Sequence, residues 1–241
     1  MRLIKLGLLS LLVISGCCKP PDKDMTTSFI PNRYTGLDSI YAHLASGDSV
    51  TIVCYGNSIT YGVSATSGQQ VADTYPKVFE NQLRQHYSNQ HIKVINEGHG
   101  GWTAENAAGG LDSLVLANQP DLVTLIYGIN DLYQEKGLPN YRQNLQTMVQ
   151  ALQQHGISIL VLSPTPLNNE NNRELLEFCN TASEVAQTNN VAFFHMHGAM
   201  VDRISAETSN PKTLLPDGVH YTESGYRMIG EELMKYWLAK P

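Results

Sequence analysis

Ser58 is the first residue in the chain whose type and position could do chemistry. It follows an apolar, β-branched run, Val50–Tyr55, which is typical of a buried strand, and a short turn made by Gly56 and Asn57. In open α/β sheets, ligands bind just beyond the carboxyl ends of the strands. A serine hydroxyl in that position becomes a nucleophile when a nearby base removes its proton.

A candidate base lies far along the chain, in the segment Asp217-Gly218-Val219-His220. The imidazole of His220 could take the proton of Ser58, which would make the protein a serine esterase. On its own, this tetrapeptide is more often an ordinary turn followed by a surface histidine. The other polar segments of the chain therefore decide the interpretation.

Two more strand-like runs end in polar or glycine-rich turns. Ile92–Asn96 precedes a turn that contains Gly101, and Asp121–Tyr127 precedes a turn that contains Asn130. Because the carboxyl ends of parallel strands meet at one edge of a sheet, these turns are expected to open on the same edge as Ser58. Convergence of polar loops at that edge is what a catalytic site requires.

Together these segments resemble the conserved blocks of the SGNH hydrolases, also called the GDSL-type esterase and lipase family. The resemblance extends from about residue 50 to residue 237. Any one block would be weak evidence, whereas four blocks in the same order are specific. In chain order they are Gly56-Asn57-Ser58-Ile59-Thr60, Gly101 within Asn96–Thr103, Gly128-Ile129-Asn130-Asp131, and Asp217-Gly218-Val219-His220.

The resemblance implies a role for each matching residue and requires neither a cofactor nor a metal ion. Ser58 would attack the acyl carbon, His220 would move the proton to the leaving alcohol, and Asp217 would fix the imidazole tautomer. The backbone N–H groups of Ser58 and Gly101 and the side-chain amide of Asn130 would form the oxyanion hole.

Three neighbouring residues are candidates for substrate contacts. Asn57 stands where the family usually has an aspartate, which removes a negative charge beside the nucleophile but no member of the triad. His99 lies beside Gly101 and could equally be a structural turn residue. Trp102 could stack on a sugar ring or line the acyl pocket, although ordinary packing accounts for a tryptophan there as well.

Apolar runs that alternate with amphipathic segments predict an α/β fold. Parallel strands with helices on both faces give a three-layer α/β/α sandwich with a five-stranded parallel sheet. We expect the flavodoxin-like strand order 2-1-3-4-5, as in the SGNH hydrolase fold. The predicted strands are Val50–Tyr55, Ile92–Asn96, Asp121–Tyr127, Ile157–Leu162 and Val191–Met196.

Four loops are expected to select the substrate, at residues 61–73, 132–140, 164–172 and 198–216. They are polar and of moderate length, which favours a small acyl group such as acetyl on a polar carrier such as a glycan. Two alternatives stay open: a lysophospholipase or thioesterase of the same family, and a non-catalytic glycan-binding lipoprotein that retains the fold.

Composition limits the partners of the protein. Its 241 residues, 42% of them hydrophobic, suffice for one well-buried domain, predicted at residues 31–241. The formal net charge of −6 offers no basic face for nucleic acid. Cys54 and Cys179 are predicted to be small buried hydrophobes, although an exported protein could pair them. His195 and His197 have no further ligand at a useful spacing, so we predict no metal site.

The N-terminus carries a targeting signal. Arg2 and Lys5 precede the apolar run Leu6–Ile14, which is typical of a secretory signal peptide at residues 1–16. Ile14-Ser15-Gly16-Cys17 resembles the lipobox of bacterial lipoproteins, in which cleavage precedes a cysteine that becomes lipid-modified. We expect lipidated Cys17, a flexible tether at 17–30, and an exported protein anchored to a membrane, periplasmic or at the cell surface. The oligomeric state is left open.

Overall fold

The computed structural model describes residues 36–239. Five strands form one sheet in the order β2-β1-β3-β4-β5, and every neighbouring pair is parallel. The predicted five-stranded parallel sheet and its flavodoxin-like order are therefore confirmed. The strands are β1 (Val50–Gly56), β2 (Ile92–Gly98), β3 (Leu122–Ile126), β4 (Ser158–Leu162) and β5 (Ala192–Phe194).

Helices cover both faces of this sheet, as its apolar strands require. Every residue of β3 is buried, since a central parallel strand is packed from both sides. The contacts divide the principal helices into two groups: α3, α8 and α9 pack together, and so do α4, α6 and α7. The helices are α1 (Asp38–Ser46), α2 (Ser58–Tyr61), α3 (Tyr75–Tyr87), α4 (Ala104–Leu114), α5 (Ile129–Tyr133), α6 (Gly137–Gln154), α7 (Asn172–Thr188), α8 (Met196–Glu207) and α9 (Glu223–Leu238).

Strands β1, β2 and β3, which precede Ser58, Gly101 and Asn130, end at the same level of the sheet. In the register of the sheet, Gly56 at the end of β1 is paired with Gly98 of β2 and with Ile126 of β3. The turns that follow these strands therefore start side by side at the carboxyl edge, which brings the segments around Ser58, Gly101 and Asn130 to one place.

One element differs from the prediction. Strand β5 ends at Phe194, and residues 196–207 form α8, where we expected the strand to reach Met196 and a substrate-selecting loop to begin at 198. The cause is local, because Nδ1 of His195 accepts a hydrogen bond from the backbone N–H of Gly198 at 2.8 Å and caps the helix. Met196 and Met200 then face the core one turn apart.

The N-terminal predictions fall outside the described residues. The signal peptide, Cys17 and the tether at 17–30 all precede residue 36, as does the predicted start of the domain at residue 31. Within residues 36–239, no helix combines the length and the apolar character that a membrane span needs.

Candidate active site

Ser58 is the first residue of the short helix α2, directly beyond β1. Asn57 has extended backbone and forms the N-cap, and its Oδ1 accepts the backbone N–H of Ile59 at 2.9 Å. The Ser58 side chain consequently leaves the sheet edge at a sharp strand-to-helix turn. Its own N–H lies in the first turn of α2, where backbone N–H groups have no partner within the helix.

Two glycines allow α2 to lie close to the ends of β1 and β2. A Cβ at Gly98 would lie 1.9 Å from the backbone nitrogen of Tyr61, and a Cβ at Gly56 would lie 2.0 Å from Oγ1 of Thr60. A side chain at Gly98 would force the backbone of α2 to move, and one at Gly56 would displace the side chains of Thr60 and Ile126. The glycines therefore set the depth at which α2, and with it Ser58, is seated on the sheet.

The structure brings Ser58, His220 and Asp217 into direct contact. The Ser58 hydroxyl lies 2.9 Å from Nε2 of His220, and Nδ1 of the same ring lies 2.9 Å from Oδ2 of Asp217. An ionised carboxylate only accepts hydrogen bonds, so Nδ1 carries the proton and Nε2 is left to accept from serine. The arrangement is that of a serine–histidine–aspartate triad.

Asp217 is held by its own turn as well as by the imidazole. Its Oδ1 accepts the backbone N–H groups of Val219 at 2.9 Å and of His220 at 2.7 Å. Burial acts to raise the pKa of Asp217, but the hydrogen bonds from Val219 and His220 together outweigh it and lower the pKa below its usual value. Asp217 is therefore ionised at neutral pH and accepts the hydrogen bond from the imidazole of His220.

The segments that carry Gly101 and Asn130 are joined to each other. Gly101 adopts a φ of +78° with open space where a Cβ would lie, so glycine is required there by the backbone conformation. One N–H of the Asn130 amide donates to the carbonyl of Trp102 at 2.9 Å, and Nε2 of Gln134 donates to the carbonyl of Gly101 at 2.7 Å. The second N–H of the Asn130 amide has no hydrogen-bond partner among residues 36–239.

Residues 54–228 match the GDSL-like Lipase/Acylhydrolase family. The chain belongs to this family. The match spans the triad and both segments of the expected oxyanion hole, and it makes the protein a carboxylic ester hydrolase.

Individual relatives of this GDSL-like hydrolase include a sugar-polymer esterase. An acetylxylan esterase from Geobacillus stearothermophilus is 23% identical over 158 residues, which are 60% of this chain and 71% of that enzyme. A crystal structure of Axe2, an acetylxylan esterase from the same organism, matches with a TM-score of 0.67 and 22% identity over 78% of this chain and 93% of that one. LAE5, an alpha/beta hydrolase enzyme from the metagenome of Lake Arreo, matches with a TM-score of 0.67 and 18% identity, over 78% and 94% of the two chains.

The three residues proposed as substrate contacts lie in different environments in the GDSL-like hydrolase. Trp102 is half-buried, and its ring stacks on that of His99 with centroids 4.2 Å apart. His99 also lies 3.2 Å from Oε2 of Glu97 through Nε2. Both side chains are thus partly accessible beside Gly101. Asn57 is only 2% exposed, and its Oδ1 caps α2 and so holds the turn that carries Ser58; a substrate contact of Asn57 stays a prediction.

His197, Cys54 and Cys179 of the GDSL-like hydrolase are buried. Nε2 of His197 lies 3.0 Å from Oδ1 of Asn172, and burial, followed by the nearby His195, lowers the pKa of His197 to about 4. Among residues 36–239, no group of three His, Cys, Asp or Glu side chains could hold a metal ion. Cys54 and Cys179 are buried and free, so the alternative of a disulfide between them is wrong.

Sequence reasoning missed a second layer of residues that support the site. Nδ2 of Asn169 donates to the hydroxyl of Tyr133 at 2.9 Å and approaches the carbonyl of Gly218 at 3.4 Å. The backbone N–H of Asn168 donates to the same carbonyl at 2.8 Å. These contacts brace the turn between Asp217 and His220. No local pattern could have revealed them, because they join loops that follow three different strands.

Proposed function

We propose that the protein is an acetyl esterase that removes short acyl groups from a glycan through an acyl-enzyme. The observation that carries this proposal is the 2.9 Å contact between Oγ of Ser58 and Nε2 of His220, in a ring whose other nitrogen is held by Asp217. This geometry supports roles for Ser58 as nucleophile, His220 as general base and acid, and Asp217 as the group that fixes the tautomer.

In the first half of the reaction, Oγ of Ser58 attacks the acyl carbon while Nε2 of His220 accepts its proton. The negative oxygen of the tetrahedral intermediate is bound by the N–H groups of Ser58 and Gly101 and by the free amide N–H of Asn130. Each such donor typically contributes about 3 kcal/mol to transition-state stabilisation. The imidazolium of His220 then protonates the sugar oxygen of the ester as its bond to the acyl carbon breaks, so the carrier leaves as an alcohol and Ser58 holds the acyl group. Water, deprotonated by the same imidazole, hydrolyses the acyl-enzyme and releases the acid.

Exposed aromatic side chains at the ends of α2 and α5 support a sugar as the carrier of the acyl group. Tyr61 and Tyr133 are 39% and 43% exposed, and they are two of the four large hydrophobic side chains that are exposed within residues 36–239. Each follows a residue of the site, Ser58 or Asn130, by three positions. Exposed aromatic rings offer apolar faces on which sugar rings stack. The similarity to an acetylxylan esterase points in the same direction.

The experiment is an acetate-release assay with the soluble domain on acetylated xylan, other acetylated polysaccharides and peptidoglycan. We expect acetate release by the wild type and a loss of at least a thousandfold in kcat for Ser58→Ala. p-Nitrophenyl acetate and p-nitrophenyl octanoate are compared in parallel. Preference for acyl chains of eight carbons or more would favour the lysophospholipase or thioesterase alternative.

A fluorophosphonate probe tests the non-catalytic alternative. The proposed nucleophile predicts covalent labelling of the wild type and none of Ser58→Ala. If neither protein is labelled or hydrolyses an ester, the chain is a glycan-binding module with the family fold, and the proposed activity is wrong.

We also propose that the enzyme works outside the cytoplasm as a lipid-anchored protein. Arg2 and Lys5 before the apolar run Leu6–Ile14, and the lipobox-like segment ending at Cys17, support this proposal. An ester substrate on an extracellular or periplasmic glycan would fit such a location. Mass spectrometry of the mature N-terminus tests it, since acyl chains on Cys17 are expected.

A further inference from the structure

A buried carboxylate that has no part in the triad lies at the junction of the two segments of the oxyanion hole. Asp131 is completely buried. Its Oδ1 accepts the backbone N–H of Ala104 at 3.0 Å, and its Oδ2 accepts that of Gly128 at 3.1 Å. Ala104 begins α4 directly after the Gly101 turn, and Gly128 is the N-cap of α5, whose second residue is Asn130.

The carboxylate therefore ties together two pieces of chain that must act in concert. The Gly101 turn supplies one N–H to the developing oxyanion, and Asn130 supplies another. Their relative position is fixed by the Asp131 carboxylate on one side and by the 2.9 Å bond from the Asn130 amide to the Trp102 carbonyl on the other. A shift between these segments would move one donor away from the oxyanion, and misplacement by about 1 Å can cost on the order of a hundredfold in rate.

We propose that Asp131 is a positioning residue for the oxyanion hole: by accepting N–H groups from the starts of α4 and α5, it sets the distance between the Gly101 N–H and the Asn130 amide. This inference rests on the proposed function, because it assigns Asp131 to the reaction in which these donors bind the tetrahedral intermediate.

The chemistry of the side chain agrees with that task. A carboxylate presents only acceptors, so both of its oxygens can meet N–H donors, whereas an asparagine would direct an NH₂ group at one of them. Burial raises the pKa of Asp131 to about 6, and the N–H groups of Ala104 and Gly128 oppose that rise, so the side chain is largely charged at neutral pH. The ionised carboxylate of Asp131 is thus buried at the point where its hydrogen bonds join the starts of α4 and α5.

The test is a double-mutant cycle of Asp131→Asn with Asn130→Ala, measured with p-nitrophenyl acetate. We expect Asp131→Asn alone to lower kcat about ten- to a hundredfold with KM within about threefold of the wild type. In the Asn130→Ala background, where that donor is already gone, the same change should cost less than about a third of its effect in the wild type. Affinity for a boronic acid that forms a tetrahedral adduct with Ser58 should fall in parallel with kcat.

Glu80→Gln is the matched control. Glu80 is also a buried carboxylate that accepts a backbone N–H, that of Val94 at 3.1 Å, and it lies between α3 and β2 away from the site. This change should lower stability and leave kcat/KM unaltered. If Asp131→Asn does not fold, Asp131→Ser, which retains an acceptor hydroxyl, takes its place in the cycle.

Two results would overturn the inference. One is a folded Asp131 variant with wild-type kcat. The other is a decrease in kcat for Asp131→Asn that is as large in the Asn130→Ala background as in the wild type, together with unchanged affinity for the boronic acid. A purely structural role of Asp131 predicts that result. Failure of the proposed function is a separate outcome, recognised when Ser58→Ala hydrolyses the ester as well as the wild type does.

Discussion

At the scale of single residues, the site depends on hydrogen bonds whose direction is fixed by chemistry. Oδ1 of Asp217 accepts two backbone N–H groups, which leaves Oδ2 facing Nδ1 of His220. The imidazole can then have only one tautomer, the one with Nε2 free to accept the proton of Ser58. Asp217 thus orients the imidazole, and the imidazole alone faces the proton of Ser58.

Asp217→Asn tests this dependence. The amide keeps the size of the side chain but can present a donor to Nδ1, which would favour the tautomer whose Nε2 is protonated. We expect kcat to fall on the order of 10³–10⁴-fold with KM little changed. Steady-state kinetics with p-nitrophenyl acetate measures it. A loss below about tenfold would mean that the imidazole is held without the carboxylate.

Asp131 predicts a pH dependence of stability with a definite sign. Its pKa is raised to about 6 by burial, so the folded state holds the proton more tightly than the unfolded chain does. The protonated form of Asp131 therefore stabilises the folded protein at about pH 4, and this stabilisation is lost as the pH rises through about 6. The ionisable groups around it are the buried Tyr127 and Tyr141 and the cation of Lys136, which is paired with Glu105 at 2.9 Å.

Urea unfolding at pH 4.5 and pH 7 checks that sign. From pH 4.5 to pH 7, ionisation of Asp131 should lower the unfolding free energy of the wild type by about 2 kcal/mol. Asp131→Asn, which has no carboxyl group to ionise at this position, should not show this decrease. Comparing the pH difference within each protein cancels the other ionisable groups. Equal pH differences in the two proteins would show that the pKa of Asp131 is close to that of an exposed carboxyl group.

At the scale of elements, the five-residue helix α5 connects the two halves of the site. Near the start of α5, Asn130 and Asp131 make hydrogen bonds with residues 102–104, and Gln134, directly after its end, donates to the carbonyl of Gly101. Tyr133 contacts Asn169, which reaches the carbonyl of Gly218 in the turn of the base. The segments proposed to form the oxyanion hole and the turn that carries His220 are therefore parts of one hydrogen-bonded unit.

Tyr133→Ala tests whether the exposed ring at the end of α5 binds sugar. We expect KM for an acetylated xylo-oligosaccharide to rise about tenfold, with KM for p-nitrophenyl acetate within about twofold, because only the oligosaccharide reaches the ring. Loss of the contact between Tyr133 and Asn169 acts on kcat for both substrates alike and so does not change this comparison of KM values. Tyr133→Phe keeps the ring and should change KM little. Val201→Ala, which alters an exposed apolar residue on α8, is the control. An unaltered KM for the oligosaccharide in Tyr133→Ala would remove this residue from the binding surface.

The sequence predicts elements best where a single pattern governs them. The runs of β1, β3 and β4 are apolar because both faces are buried, so their existence follows from the sequence, whereas their order in the sheet is not fixed by hydrophobic periodicity. Helix α8 was missed because its start depends on the ring of His195 capping the chain, which a short apolar run does not reveal. The triad is recognisable from four motifs, whereas Asp131, Tyr133 and Asn169 act through contacts between distant loops.

At the scale of the whole molecule, the C-terminal helix closes the site. Ser58 and His220 are 162 positions apart, and they meet because α9 packs on α3 and so returns the chain from the β5 side of the sheet to β1. The hydroxyl of Tyr226 in α9 donates to the carbonyl of Val63 at 2.7 Å, and the N–H of Ala65 donates to the carbonyl of Tyr221 at 3.1 Å. The segments that follow Ser58 and His220 are thus joined to each other by hydrogen bonds, which keep the two side chains close together.

The charge of the molecule bears on how it would be held at a membrane. With a formal net charge of −6, the chain gains no general attraction to anionic lipid, so attachment would depend on acyl chains at Cys17. Cys17→Ser should therefore move the protein from the membrane fraction to the soluble fraction. Its specific activity on p-nitrophenyl acetate should stay within about twofold of the wild type, because Cys17 precedes the domain that holds the triad. Retention of Cys17→Ser in the membrane fraction after a high-salt wash would show that another part of the chain provides the anchor.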